Sequence, residues 1–239
     1  MNQKVLTIAH RGACSRFPEN SRSSFLEALR LGADMVEFDV HRTKDGHLVV
    51  IHDNKIDRTS NGKGKVTKKS LEELKNYSFG EEKILTLREA LETLQEKCNI
   101  LVELKDSMKG YEHLALAEIK KFSASNHILL QSKNKSILRN VRKLDSQIEL
   151  GYVFLFSLPY FSLFYHRLLI RKYKLSFLSL HGNLTNKRYL KKFMPFLKEW
   201  GINIFIWTIN DKDSLNNYLS WGADGIITNY PELMINCKL

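Results

Sequence analysis

The chain has 239 residues, 43% of them apolar, and a formal net charge of +11 at pH 7. With a mean hydropathy of −0.30, such a chain can fill the core of a large domain, which excludes a sequence too polar to fold. Its basic residues are scattered rather than gathered in a stripe, which argues against nucleic acid as a partner. The positive field would instead favour an anionic small substrate or a lipid head group.

Cysteine usage and the amino terminus bear on the compartment. The three cysteines, Cys14, Cys98 and Cys237, show no metal-ligand spacing and are typical of free thiols in a reducing environment. The run VLTIA (5–9) after MNQK is too short for the apolar region of a signal peptide. We therefore expect a cytoplasmic protein, and an aromatic segment described below leaves membrane association open.

Along the chain, apolar runs alternate with helical patterns, which predicts βα units and a parallel sheet. A helix capped by Asn20 or Ser21 follows the first strand and ends at Gly32. If 36–40 and 48–52 are the two arms of one hairpin, eight barrel strands are predicted, at 5–9, 34–40, 99–104, 127–131, 148–153, 177–181, 203–209 and 224–228. This number of units in this length predicts an α/β fold, a TIM (β/α)8 barrel in which residues 1–239 form a single domain.

A polar, Lys-rich excursion at 54–83 follows the second strand and is predicted to lie outside the core. Two Ser/Thr-x-x-Glu patterns, beginning at Ser70 and Thr86, predict helix starts with capping boxes. Pro195 lies inside a later predicted helix and predicts a kink or break near Met194, because proline removes a helical hydrogen bond. The remaining helices are predicted at 111–122, 134–143, 186–200 and after a cap at Asp211.

The segment 152–165 is unusually aromatic and apolar, and it precedes the basic run HRLLIRKYK. It falls short of the roughly 20 residues that span a bilayer. The favoured interpretation is a strand end followed by a buried helix that starts at Pro159. The alternative is a hydrophobic ridge with basic flanks, through which 152–172 would contact a membrane surface.

The stretch from Val36 to Asp53 carries the clearest chemical signal. Glu37 and Asp39 lie two residues apart, so a strand presents both carboxylates on one face, which is costly without a positive charge between them. If the chain turns back at Lys44-Asp45-Gly46 into an antiparallel hairpin, His52 falls opposite Glu37. The spacing suggests a metal-sized gap beside a titratable imidazole.

The strand ends extend this set, because reactive side chains of a TIM barrel lie at the carboxyl ends of its strands. Glu37, Asp39 and Glu103 would form an oxygen site suited to Ca²⁺ or Mg²⁺. Two histidines suit acid–base work near neutral pH, and fixed cations suit a phosphate. These features favour a phosphodiester site over an acyl or glycosyl site. The other strand-end residues in this set are His10, Arg11, Lys105, Gln131, His181, Trp207, Thr228 and Asn229.

Each of these residues alone has a simpler structural explanation. A lone histidine at a strand end is more often a satisfied polar residue, and Trp207 is more often core than a platform for a sugar or glycerol. The three carboxylates together are harder to explain, because their apolar neighbours mark buried strands where unpaired carboxylates are costly.

In order, these motifs resemble the glycerophosphodiester phosphodiesterases, a family of the phospholipase C-like phosphodiesterase superfamily, over nearly the whole chain. The matching segments are HRG (10–12), PENS (18–21), GADMVEFDV (32–40), TKDG (43–46), HD (52–53), ELK (103–105), WTIN (207–210) and GADGIITNYP (222–231). Three positions depart from the family pattern: Ser21 replaces Thr, Asn229 replaces Asp, and Lys133 follows Gln131-Ser132 where an aromatic residue is common.

The resemblance implies a TIM barrel that hydrolyses glycerophosphodiesters to glycerol 3-phosphate and an alcohol. In the mechanism usual for the family, a glycerol hydroxyl of the substrate attacks phosphorus, and water then opens the cyclic phosphate. The implied residues are Glu37, Asp39 and Glu103 on a divalent metal, Ca or Mg, His10 and His52 as general acid and base, and Arg11 and Lys105 on the phosphate. Trp207 is added as a substrate-binding candidate from its strand-end position.

Two alternatives stay open on the sequence. One is a lysophospholipase D-like enzyme, or another membrane-docked phosphodiesterase, that uses 152–172 for docking. The other is a non-catalytic barrel that binds anionic lipid or nucleic acid through its charge. The presence of both histidines and all three carboxylates argues against the non-catalytic alternative.

Overall fold

Eight parallel strands close into a barrel in the computed structural model, which describes residues 4–106, 110–154, 162–182 and 187–237. Strand β1 pairs with β2 on one side and with β9 on the other, and this second pairing closes the sheet. The ninth strand, β3, is an antiparallel appendage of β2. The predicted TIM barrel is confirmed. The strands are β1 (Leu6–His10), β2 (Met35–Arg42), β3 (Leu48–Val50), β4 (Asn99–Leu104), β5 (Ile128–Ser132), β6 (Leu150–Phe154), β7 (Phe177–His181), β8 (Asn203–Trp207) and β9 (Gly225–Thr228).

Helices cover the outside of the barrel, and several start at the predicted caps. The Ser21, Ser70 and Thr86 side chains each accept from a backbone N–H three residues on, and Asp211 also acts as a cap. The capping boxes predicted at Ser70 and Thr86 are confirmed, and Ser21 forms a further one with Ser24. Ser21, rather than Asn20, is the first cap. The helices are α1 (Arg22–Arg30), α2 (Leu71–Asn76), α3 (Leu87–Leu94), α4 (Tyr111–Ile119), α5 (Lys135–Leu144), α6 (Ser162–Tyr173), α7 (Lys187–Glu199) and α8 (Lys212–Ser220).

Of the predicted kink or break near Met194, the break is wrong, because α7 continues through Pro195 to Glu199. Leu190, Met194 and Leu197 are buried against the barrel on the inner face of the helix. This packing outweighs the backbone hydrogen bond that proline removes.

The hairpin between β2 and β3 is antiparallel, as predicted, but its register differs by one residue. Val40 pairs with Val50, and the Ile51 N–H donates to the Asp39 carbonyl oxygen (3.0 Å). The turn explains the shift. Three residues separate the bonded pair Thr43 and His47, and the last of the three, Gly46, is left-handed with φ of 94°. Hence His52 does not lie opposite Glu37.

Apolar side chains form three clusters. One fills the barrel interior around Phe177 and Phe205, whose ring centroids are 4.9 Å apart, and a larger one lies between strands and helices. The excursion at 54–83 also has a core, because Ile56, Val66 and Leu74 are fully buried there. The expectation of a purely polar excursion is therefore corrected.

The aromatic segment 152–165 is only partly described. Strand β6 ends at Phe154 and α6 begins at Ser162, so the predicted helix start at Pro159 lies outside the described residues. Among the described residues, every helix is too short or too polar to cross a membrane.

Candidate active site

A cavity opens at the carboxyl ends of the strands, where TIM barrels carry their active sites. Gln131 and Lys133 lie in its wall beside the side chains predicted from the sequence. The structure brings together all eight predicted site residues, namely His10, Arg11, Glu37, Asp39, His52, Glu103, Lys105 and Trp207.

The three carboxylates come from the neighbouring parallel strands β2 and β4. Asp39 and Glu103 are paired in the register, and Glu37 points to the same side because it lies two residues before Asp39. Each contributes one oxygen to a set whose members all lie within 4.8 Å of one another. Their residues are only 2%, 1% and 7% exposed for Glu37, Asp39 and Glu103. Three buried carboxylates thus share one small volume.

Two cations offset part of this negative charge. The Lys105 Nζ lies 2.8 Å from Asp39 Oδ1 and 2.7 Å from Glu103 Oε1, and the Arg11 Nε lies 3.3 Å from Asp39 Oδ2. Burial opposes ionisation of Asp39, but Lys105 and Arg11 outweigh it and hold the pKa of that carboxyl well below its usual range. Burial and the nearby Asp39 raise the pKa of Glu37 well above its usual value, and burial also raises the pKa of Glu103.

This arrangement fits a divalent cation. Glu37 accepts one hydrogen bond among the described residues, from the Arg11 backbone N–H to Oε2 (3.1 Å), and neither cation forms an ion pair with it. A raised pKa in an oxygen-rich pocket indicates that positive charge is in deficit there. Carboxylate oxygens are the ligands that Ca²⁺ and Mg²⁺ prefer. Glu37, Asp39 and Glu103 could hold such an ion together.

His10 ends β1 and has a defined tautomer. Its Nδ1 lies 2.7 Å from the Asn229 Oδ1, which accepts only, so Nδ1 carries the proton and Nε2 keeps a free lone pair. Burial and the neighbouring charge of Arg11 lower the pKa of His10 to about 4. This imidazole is therefore neutral near pH 7 and able to accept a proton at Nε2.

His52 has a different partner. Its Nδ1 lies 2.6 Å from Asp53 Oδ1, and the other oxygen of Asp53 accepts from the Arg58 Nε (2.7 Å). The hydrogen bond from Arg58 lowers the pKa of Asp53 to about 2, so a carboxylate faces the imidazole. His10 thus faces an amide oxygen, whereas His52 faces a carboxylate.

His41 positions the backbone of His52. The His41 Nδ1 lies 2.8 Å from Asp106 Oδ1 and its Nε2 lies 3.1 Å from the carbonyl oxygen of His52. His41 is only 5% exposed. His52 lies two residues beyond the end of β3, so this contact helps to fix a residue that no strand holds.

The loop between β1 and α1 contributes residues whose roles the sequence did not reveal. Glu19 accepts from Arg11 Nη1 (3.1 Å) and from both Nη groups of Arg58 (2.8 Å each), which ties two loops together. Asn20, left-handed with φ of 58°, donates from Nδ2 to Asp39 Oδ2 (3.1 Å). The segment PENS (18–21) could have indicated the roles of Glu19 and Asn20, because a polar pair just before a helix cap is seldom needed for the helix itself. Arg58 gave no signal.

Trp207 forms part of the opposite wall. Its ring meets the His181 ring edge-on, with centroids 4.6 Å apart. The indole Nε1 is buried and donates to no atom of the described residues. Nearby, the Gln131 Oε1 accepts from the Ser179 Oγ (2.6 Å), which fixes the orientation of that amide.

Comparison with known proteins identifies the family to which the chain belongs. The sequence profile of the glycerophosphoryl diester phosphodiesterase family matches residues 10–233. A glycerophosphodiester phosphodiesterase from Caldanaerobacter subterraneus subsp. tengcongensis is 36% identical over 247 residues, which cover 98% of this chain and 97% of the relative. Another, from Bacillus altitudinis, is 32% identical over 244 residues, with 97% of each chain covered.

A solved structure agrees. An Oleispira antarctica phosphodiesterase, in complex with the product sn-glycerol-3-phosphate, superposes with a TM-score of 0.86 at 27% identity, covering 98% of this chain and 96% of that one. The non-catalytic alternative is therefore left without support. The chain belongs to the glycerophosphoryl diester phosphodiesterase family, and it is a phosphoric diester hydrolase.

Proposed function

We propose that this enzyme hydrolyses glycerophosphodiesters to glycerol 3-phosphate and an alcohol, with a divalent metal held by Glu37, Asp39 and Glu103. The observation that carries the proposal is the buried trio of carboxylates with two imidazoles in the wall of the same cavity. The glycerol 3-phosphate bound to the Oleispira antarctica relative supports the product. When bound, the metal would lower the pKa of a substrate hydroxyl and offset charge on the phosphoryl oxygens.

The nucleophile comes from the substrate. The cavity wall holds no serine, threonine or cysteine among the described residues. The glycerol hydroxyl next to the ester attacks phosphorus, the bond to the alcohol breaks, and a cyclic phosphate remains. Water then opens the ring to give glycerol 3-phosphate.

His10 and His52 move the protons in both steps. In the first step the His10 Nε2 accepts the hydroxyl proton while His52 donates a proton to the departing alcohol. In the second step the roles are exchanged, since His52 then takes a proton from water and His10 returns one to the ring oxygen. The tautomer of His10, whose Nε2 keeps a free lone pair, supports this order.

Arg11, Lys105 and Trp207 would bind the substrate. Lys105 and the guanidinium of Arg11 lie next to the metal ligands, where they would contact phosphate oxygens as well as neutralise carboxylates. Trp207 offers an apolar face on the opposite wall for the glycerol carbons.

A coupled assay for glycerol 3-phosphate tests the proposal. Exhaustive dialysis against EDTA should abolish turnover of glycerophosphodiesters, and added Ca²⁺ or Mg²⁺ should restore it. Full activity in EDTA would refute the metal assignment. Release of the alcohol without glycerol 3-phosphate would refute the reaction.

Docking on a membrane is a second candidate role, favoured by the exposed face of α6. Tyr165 is 38% exposed and Leu168 is 49% exposed, and the last turn carries Arg171 and Lys172. Vesicles with anionic lipid should pellet the enzyme in a salt-sensitive manner, and Leu168→Ser should weaken this. Leu26→Ser, which changes an equally exposed leucine on α1, is the control. No pelleting by the unaltered enzyme would exclude this role.

A further inference from the structure

A groove leads away from the catalytic cavity on the side of His52. It shares His52, Lys105 and Lys133 with the cavity, so the two spaces adjoin at these three side chains. Trp207 lines the cavity and not the groove. A diester lying across the phosphate site therefore has two directions available, one towards Trp207 and one past His52.

The charges along the groove are unevenly compensated. Arg58 is bound to Asp53 and Glu19, and Lys105 is bound to Asp39 and Glu103. Arg58 is thus neutralised by its partners, and Lys105 is directed to the proposed phosphate site rather than to the outer part of the groove.

Lys55 and Lys133 are different. Both are exposed, and neither forms an ion pair or a side-chain hydrogen bond with any residue in the described ranges. The groove carboxylate of Asp57 accepts from the Gly64 N–H (2.7 Å), and that of Asp106 faces His41. Two ammonium groups are thus available to a ligand at the groove wall.

We infer that the groove receives the leaving alcohol, and that Lys55 and Lys133 select glycerophosphodiesters whose alcohol carries negative charge. This inference rests on the proposed function. The alcohol must lie beside the group that protonates it, and His52 stands at the entrance to the groove. A phosphorylated alcohol would there meet two unpaired cations in a chain of net charge +11.

A matched pair of substrates tests the inference. Glycerophosphoinositol 4-phosphate differs from glycerophosphoinositol only by a phosphate on the alcohol, and glycerophosphocholine carries a cationic alcohol. The unaltered enzyme should have the highest kcat/KM for the phosphorylated substrate, and added salt should reduce this preference. Lys133→Met should lower the ratio of kcat/KM for the phosphorylated over the unphosphorylated substrate by about five- to tenfold. Lys133→Glu should raise the relative kcat/KM for the choline substrate.

The control is Lys143→Met, which removes the same charge from an exposed lysine in the last turn of α5, the far end of the helix that follows Lys133. This variant should keep the ratio of the unaltered enzyme. An equal loss on both inositol substrates with Lys133→Met, or a preference of the unaltered enzyme for the choline substrate, would overturn the inference alone. Absence of turnover with every substrate would overturn the proposed function itself.

Discussion

Glu37 is a carboxylate whose charge is opposed by its surroundings. It is 2% exposed and lies beside Asp39 and Glu103, while the ion pairs of Lys105 go to those two neighbours. Burial and Asp39 raise its pKa well above 4.5. A residue in this state destabilises the fold unless an additional cation is bound, so the proposed metal would also stabilise the folded protein.

In metal-free protein, the raised pKa of Glu37 makes the free energy of unfolding decrease as the pH rises. The pKa of Glu37 is higher in the folded state than in the unfolded state. Protonation of Glu37 therefore contributes fully to the free energy of unfolding below pH 4.5, and this contribution is lost as the pH rises towards the pKa of the folded state. Glu37→Gln removes this loss. Urea unfolding in EDTA should therefore show the free energy of unfolding of the unaltered protein falling, relative to the variant, from pH 4 to pH 8.

Glu92→Gln is the control, because Glu92 is exposed on α3. It should follow the pH dependence of the unaltered protein. If Glu37→Gln also does so, the electrostatic interpretation of the carboxylate trio is wrong.

The two histidines can be distinguished by the leaving group. 4-Nitrophenolate departs without a proton, so a glycerophosphodiester of 4-nitrophenol does not need a general acid. In the first turnover, measured by release of the alcohol, His52→Ala should be slower by about 100-fold or more on an alkyl ester but by far less on the nitrophenyl ester. His10→Ala should lose comparable activity on both. If His10→Ala, rather than His52→Ala, kept most of its activity on the nitrophenyl ester, the assigned roles of the two histidines would be reversed.

At the scale of elements, the turn from β1 to α1 explains why glycine must follow His10 and Arg11 in the segment HRG (10–12). Arg11 and Gly12 are both left-handed, with φ of 54° and 80°. A Cβ on Gly12 would lie 2.6 Å from the backbone carbon of Ser24. The turn therefore brings Arg11 to Asp39 only if glycine follows it.

Gly12→Ala should destabilise the protein by about 2 kcal/mol or more, since the strain of positive φ adds to the clash with Ser24. Gly32→Ala is a matched control with φ of 75° and no atom within 4 Å of the added Cβ. It should cost about 1 kcal/mol. Thermal unfolding measures both, and equal destabilisation would show that the close approach to Ser24 carries no energy.

The elements also show where sequence reasoning was sufficient. Capping boxes at Ser70 and Thr86 were predictable because the pattern is local and satisfies specific N–H groups. The hairpin register was not, because it depends on the loop conformation at Gly46. Continuation of α7 through Pro195 depends on packing against the barrel, which no local pattern reports.

For the molecule as a whole, binding of the proposed metal should raise the melting temperature Tm. A ligand that binds only the folded state at 100 times its Kd adds about 2.7 kcal/mol. For a chain of this size that corresponds to a rise in Tm of roughly 5–11 °C. Thermal scans with Ca²⁺ and Mg²⁺ should show the rise, and Glu103→Gln should greatly reduce it.

Asp213→Asn on α8 is the control, because Asp213 is an exposed carboxylate in the first turn of a helix and is not one of the three clustered carboxylates. Its response to metal should match that of the unaltered protein. A Tm that does not change with either ion would contradict the proposed site.

The barrel and the positions of seven of the eight site residues followed from strand periodicity and strand ends, because the fold itself brings those ends together, whereas His52 was placed by the predicted hairpin. The contacts that hold these residues could not be found this way. Arg58 and Glu19 are 39 positions apart in the chain, and His10 and Asn229 are 219 apart. Such contacts depend on loop conformations rather than on any periodic pattern.

The excursion at 54–83 leaves and rejoins the barrel at one place, since the Val50 N–H donates to the Leu85 carbonyl oxygen (2.8 Å). Because the excursion has its own apolar core, a change in its length or sequence would leave the closed barrel intact. His52 stands at its stem and Lys55 lies within it. A recombination event that replaced residues 52–83 would transfer the proposed proton donor and part of the proposed alcohol-binding surface together. New head-group selectivity would then be inherited in one step, and the strands that carry the proposed metal ligands would stay unchanged.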